Sequence, residues 1–231
     1  MSNERAHTTA GHRSEAAGPP APATSRDRRR RGADTRRRIE QAAALLFTRD
    51  GYTATTMQAV AVEAAVHVQT IYLAYRTKPA LLAACTARLV AGEEDPDTHP
   101  AERRWAREVA AAPDPHTKLT RYVKQIADVT PRIAPLIDML RTTAPAEPEV
   151  AAFLEQMEHG RREGPLQLLG QGVPPGTWRP GLTADRVADI VFAIASPDTF
   201  RALTGRRQWT SRTAEKLIVR MLERELLPSR P

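Results

Sequence analysis

An all-helical fold is predicted for this chain of 231 residues: an N-terminal three-helix helix-turn-helix unit followed by a larger helical domain. Three observations predict it. Apolar residues make up 41% of the chain and aromatics only 5%, with Ala and Leu dominant, a composition that favours helices over sheets. Apolar positions recur at helical spacing, as in Leu217, Ile218, Met221, Leu222 and Leu226. Thr56 to Lys78 reads as two short helices joined by a tight turn.

Residues 1–32 are expected to form a disordered basic arm. The first 26 have little apolar content, and Pro19, Pro20 and Pro22 accompany several Gly and Ser/Thr. Arg28, Arg29, Arg30 and Arg31 then make a compact cationic run. It reads either as a solvated tail or as an arm that follows phosphates or enters a minor groove.

The helix-turn-helix unit is expected over 33–79. Its first helix runs from about Ala33 to Arg49, with Ile39, Ala43, Leu46 and Phe47 on one face, and ends at Asp50-Gly51. Thr55 or Thr56 offers an oxygen to cap the second helix, whose buried face is Met57, Val60, Ala61 and Ala64. The third helix spans about His67 to Tyr75, with Val66, Ile71 and Tyr75 turned inward. Thr77-Lys78-Pro79 opens a fourth helix, because Thr caps and Pro suits the first turn.

The second domain is expected over 80–227. An acidic, Pro-containing loop covers 91–100, and helices follow near 101–112, 115–130, 132–143 and 147–170, separated by prolines. Gln171 to Gly181, with three prolines and three glycines, is predicted as loop. Helices at about 183–204 and 210–227 close the chain, the former bent at Ser196-Pro197.

The charge is unevenly placed. Residues 1–78 hold 13 Lys/Arg against 7 Asp/Glu and so carry +6 of the chain's +7. Such a segment concentrates polyanions and gains free energy by releasing counterions from DNA. No apolar run is long enough to span a membrane, and the N-terminus lacks the apolar core of a signal peptide. A single cysteine, Cys85, fits a reducing cytoplasm and reads as a buried structural thiol. The six histidines show no ligand spacing, and no Gly-rich phosphate loop or nucleophile elbow occurs, so neither metal nor cofactor is expected.

The residues Thr35-Arg36, Ile39, Ala42-Ala43, Phe47, Gly51-Tyr52, Thr55-Thr56, Val60-Ala61, Ala64, Val66, Thr70-Ile71-Tyr72, Tyr75, Lys78 and Leu81-Leu82 form a pattern without gaps. It resembles the N-terminal domain of the tetracycline-repressor (TetR) family. A looser likeness extends to Gly181-Leu182-Thr183, Ala188-Asp189, Ser196-Pro197 and Trp209. Ala65 stands where that family usually has Gly, and a left-handed Ala there would cost about 1 kcal/mol. His67 replaces the usual Ser, a better cap, and Ala74 replaces a common phosphate ligand.

The resemblance implies a ligand-responsive transcriptional regulator, a repressor, acting as a homodimer on a palindromic double-stranded DNA operator. Thr56, Gln58, His67, Val68, Gln69, Thr70, Tyr72 and Lys78 would then face DNA, with Arg28 to Arg31 as further candidates. Tyr72 and Lys78 suit phosphates; Gln58 and Gln69 suit base edges; Val68 and Thr70 suit thymine methyls. A small apolar or amphipathic effector would meet Trp105, Tyr122, Ile126, Met139, Phe153, Met157 and Phe192. Val187, Val191, Leu217, Ile218, Met221 and Leu222 would form a four-helix dimer interface.

Two other functions compete. A non-specific architectural DNA-binding protein would rely on the arginine arm, but would not require the long, charge-neutral C-terminal part. An enzyme would need a clustered set of polar residues, and the sequence contains none.

Overall fold

A computed structural model describes residues 25–171 and 173–228, and among them helices follow one another with no strand. The helices are α1 (Ser25–Asp50), α2 (Met57–Glu63), α3 (Val68–Tyr75), α4 (Lys78–Ala91), α5 (Arg104–Ala110), α6 (Pro115–Thr143), α7 (Pro148–Pro165), α8 (Ala184–Ile194), α9 (Pro197–Arg201) and α10 (Ser211–Leu226). Wider π-type turns extend α7 over Leu166–Gln171 and α9 over Ala202–Arg206.

Helix α1 begins well before the expected Ala33. Arginine is a good helix former, and Gly32 alone is too weak a breaker to stop propagation. The Thr35 hydroxyl donates to the Arg31 carbonyl at 2.9 Å, and Arg37 pairs with Asp34 at 2.8 Å. Arg29, Arg30 and Arg31 are therefore exposed helical residues, not members of a disordered arm. The Arg28 side chain and residues 1–24 of that arm lie outside the described residues.

Two apolar cores organise the chain. In the first, Ile39, Phe47, Val60, Ile71, Leu81 and Leu82 join α1 to α4, and Leu136, Leu140 and Val150 extend this core into α6 and α7. In the second, Leu119, Val123, Leu169, Val187, Val191, Phe200, Ile218 and Leu222 join α6 to α8, α9 and α10. The 29-residue helix α6 belongs to both and is the spine between them.

Helix α6 runs unbroken through Pro131 and Pro135, where a break had been expected after residue 130. Both prolines are exposed, so their rings stand toward solvent and not among the packed side chains of α6. Burial on both sides of them, from Leu119 to Thr130 and from Ile133 to Leu140, outweighs the lost bonds. The opposite occurs at Ser196-Pro197. Ser196 caps a new helix by accepting from the Thr199 amide at 3.1 Å, so α8 and α9 are separate helices, not one bent helix.

The predicted dimer stripe also needs correction. Val187, Val191, Ile218 and Leu222 are fully buried in the second core of their own chain, because α8 and α10 need that stripe to pack against α6. Only half-buried Leu217 and exposed Met221 remain outside it. Met221 lines a shallow groove with Ile190, Ala193, Ile194, Arg224 and Glu225.

Candidate nucleic-acid interface

The helix-turn-helix is set by its caps and its turn. The Thr56 side chain accepts from the Ala59 amide at 3.0 Å and starts α2. Thr55 is buried, and its hydroxyl donates to the Gly51 carbonyl at 2.8 Å. After α2 the backbone reverses at Ala65, whose φ of 51° is left-handed, and the Val66 amide donates to the Ala61 carbonyl at 3.0 Å. The strain expected of Ala at this position is therefore present. His67 precedes α3 without making a side-chain cap, consistent with its lower capping ability.

Helix α3 has two sharply different faces. Ile71 and Tyr75 are buried, whereas Gln69, Tyr72, Leu73, Ala74 and Arg76 are exposed. The buried end is anchored by a charge placed in the core. Glu40, 4% exposed, accepts from the Tyr75 hydroxyl at 3.0 Å and from Arg88 Nε at 2.8 Å. One carboxylate thus ties α1, α3 and α4 together. Burial, with the Glu40 charge adding to it, pushes the Tyr75 phenol above its ordinary pKa and keeps it a donor.

The expected DNA-facing residues do not all occupy equivalent positions. Thr56, Gln58, His67, Gln69 and Tyr72 are exposed, and Thr70 is half-buried. Val68 is half-buried and packs against the first core, which commits part of its surface to packing. Lys78 is half-buried, its ammonium 4.1 Å from the Tyr52 ring centroid and 3.4 Å from the Thr53 carbonyl. Burial holds its pKa below the usual lysine value, against the opposing pull of Glu147 and Glu149. The same corner joins the two parts of the fold, since Glu149 accepts from the Tyr52 hydroxyl and Glu147 from Thr53 at 3.0 Å.

Three exposed residues of this face, Leu73, Ala74 and Arg76, were not among the expected contacts. Leu73 and Arg76 follow Tyr72, and Arg76 has a φ of 60° at the end of α3. The signal for Leu73 was available in its place two residues from both Ile71 and Tyr75, which puts it on the opposite side of the helix.

The seven expected effector residues divide into three groups. Trp105 and Tyr122 meet edge-to-face at 6.4 Å beside Ile126 in the second core. Met139, Phe153 and Met157 instead belong to or pack on the first core. Phe192 lies under the Arg161 guanidinium at 3.5 Å, with its carbonyl accepting from Arg161 at 2.9 Å. They do not surround one cavity, because α6 carries its apolar side chains into two separate cores. Neither surface groove, one between α6 and α10 and one between α8 and α10, includes any of the seven. Trp105 Nε1 is nevertheless buried without a hydrogen-bond acceptor among the described residues.

No helix among the described residues is long and apolar enough to cross a membrane. Buried Cys85 donates to the Leu82 carbonyl, and burial pushes its thiol pKa up to about 12, as suits an unreactive core thiol.

Residues 39–85 match the family model of bacterial regulatory proteins, tetR family. Among solved structures, one assigned to the TetR family of transcriptional regulators, from Rhodococcus sp., is 15% identical with a TM-score of 0.63, covering 83% of this chain and 97% of that one. A transcriptional regulator from Saccharomonospora viridis in complex with choline is 19% identical with a TM-score of 0.62, covering 85% of this chain and all (100%) of that one. A TetR transcription regulator from Haloarcula marismortui is 19% identical with a TM-score of 0.58, covering 84% and 99%. These likenesses establish a shared fold across both parts of the chain. No curated protein sequence matches significantly.

Proposed function

We propose that this chain, whose residues 39–85 match the family model of bacterial regulatory proteins, tetR family, is a ligand-responsive transcriptional repressor. It binds a palindromic operator as a homodimer and leaves it when a small apolar or amphipathic effector binds. The observation that carries this reading is the two-faced helix α3: Ile71 and Tyr75 turned into the core, with Tyr75 anchored on Glu40, and Gln69 and Tyr72 presented outward. This helix belongs to the part of the chain that holds almost all of its positive charge.

In this account Gln69 reads a base edge, with adenine its best bidentate partner. Tyr72, Thr56 and the exposed Arg29, Arg30 and Arg31 contact phosphates and set the docking register. The dimer forms by isologous contact of the outer faces of α8 and α10, through Ile190, Ala193, Ile194, Leu217 and Met221. It holds two copies of α3 about 34–36 Å apart, in successive major grooves. The effector lies beside Trp105, Tyr122 and Ile126, where the indole N–H without an acceptor offers it a hydrogen bond. The choline bound to the Saccharomonospora relative supports a small amphipathic molecule in a fold of this kind. The chain is a regulator, not an enzyme.

Selection of bound genomic fragments tests the function, followed by competition with unrelated DNA at moderate salt. A specific reader recovers a palindromic sequence and retains it by a ratio of about 10³ or more. An architectural protein recovers no shared sequence and loses its binding uniformly.

A further inference from the structure

Leu73 is 84% exposed, more than any other large apolar side chain among the described residues. It lies two residues from Ile71 and from Tyr75, about 200° round the helix from each, at the centre of the outward face of α3. Gln69 precedes it by one turn on that face, and Thr70, Tyr72 and Arg76 flank it. A leucine held at such exposure gains nothing in the isolated chain. The apolar surface beside it is limited to Ala74 and the Tyr72 ring, too small for a protein–protein interface, and Gln69, Thr70 and Arg76 around it are polar or cationic. In the major groove, one base alone offers a matching apolar group, thymine with its 5-methyl.

We propose that Leu73 is a specificity-determining residue that packs on a thymine methyl in each half-site, next to the base pair contacted by Gln69. This assignment rests on the operator-reading function above and adds a T·A requirement at one position. Contact with the methyl removes both apolar surfaces from water, a gain that cytosine, adenine and guanine do not provide.

The test uses the full chain and the fragment recovered by selection. Each thymine of the half-site is replaced in turn, in both halves together, by deoxyuridine, which keeps every hydrogen-bonding group and lacks only the methyl. At one position the wild-type chain should bind about fourfold more weakly per half-site, the loss expected for one buried methyl. Leu73→Ala should bind the unmodified fragment more weakly and be indifferent to deoxyuridine at that position. Gln69→Ala should keep the sensitivity. A Leu73→Ala chain with the wild-type deoxyuridine profile, whatever its overall affinity, overturns the assignment, because Leu73 would then act only through the fold. A wild-type chain that prefers no fragment overturns the operator-reading function and the assignment with it.

Discussion

Arg141 on α6 and Asp198 on α9 form a two-pronged ion pair, with Nη1 2.7 Å from Oδ1 and Nη2 2.8 Å from Oδ2. A reciprocal pair lies beside it, Arg201 of α9 donating to Asp138 of α6 at 2.6 and 2.7 Å. Each helix thus supplies one acid and one base, three residues apart. The five-residue helix α9 cannot hold its place by its own backbone, and these pairs join Phe200 in fixing it to α6. All four side chains are partly exposed, so each pair should contribute only about 0.5–1 kcal/mol. A double-mutant cycle on Arg141→Ala and Asp198→Ala should give a coupling energy of this size by urea unfolding. Strict additivity would show that the pair forms without stabilising the fold.

The same pair predicts an acid dependence. Hydrogen bonding to Arg141 is the main cause holding the Asp198 carboxyl below its ordinary range, with burial opposing it. A depressed folded-state pKa gives a stabilisation that is complete above the unfolded value of about 3.9 and is lost as pH falls through the folded value. The stability difference between the wild type and Asp198→Asn should therefore be constant near neutrality and shrink in that acid window. A difference that grows on acidification contradicts the assignment.

Gly170 lies in the π-type turn after α7, where an added Cβ would come 2.7 Å from the Ala184 backbone carbonyl. That atom starts α8 and cannot swing aside as a flexible side chain can. Gly170→Ala should destabilise by about 1–3 kcal/mol, read as a lower urea midpoint at unchanged slope. Gly160, with nothing within 4 Å of its added Cβ, is the control expected to tolerate alanine.

The left-handed Ala65 makes the opposite prediction. Ala65→Gly should stabilise the fold by about 0.5–1 kcal/mol by relieving its strain. Ala64→Gly, one residue earlier at a φ of −80°, should not. Equal effects at the two positions would remove backbone strain as the cause.

The proposed dimer separates two neighbouring residues of α10. Met221 is 40% exposed on the outer face, so Met221→Lys should leave a folded chain that sediments as a monomer. Leu222 is fully buried, and Leu222→Ala should cost about 2–5 kcal/mol of stability instead. If Met221→Lys sediments as a dimer, the partner surface lies elsewhere.

Much of the N-terminal unit was legible because its signals are local. Of the two threonines offered as the cap of α2, Thr56 is the one that caps, Thr77 caps α4 as expected, Pro79 sits in the first turn of α4, and Ala65 turns the backbone. Helix α6 was not legible at Pro131, because the burial that carries it through depends on partners far away in sequence. The faces of α8 and α10 were misread for a related reason. Periodicity identifies an apolar stripe, but not whether it meets its own chain or another. Val187, Val191, Ile218 and Leu222 meet their own. The Glu40–Tyr75–Arg88 contact was invisible for the same cause, since Glu40 and Arg88 are 48 positions apart and each looks like a solvated charge.

The most direct test of the operator-reading dimer is a stoichiometric titration of the selected fragment with the chain, followed by sedimentation. Two chains should load together onto one site, with half-site centres about 10–10.5 base pairs apart. A single chain filling the site, or open-ended loading in proportion to DNA length, would contradict it.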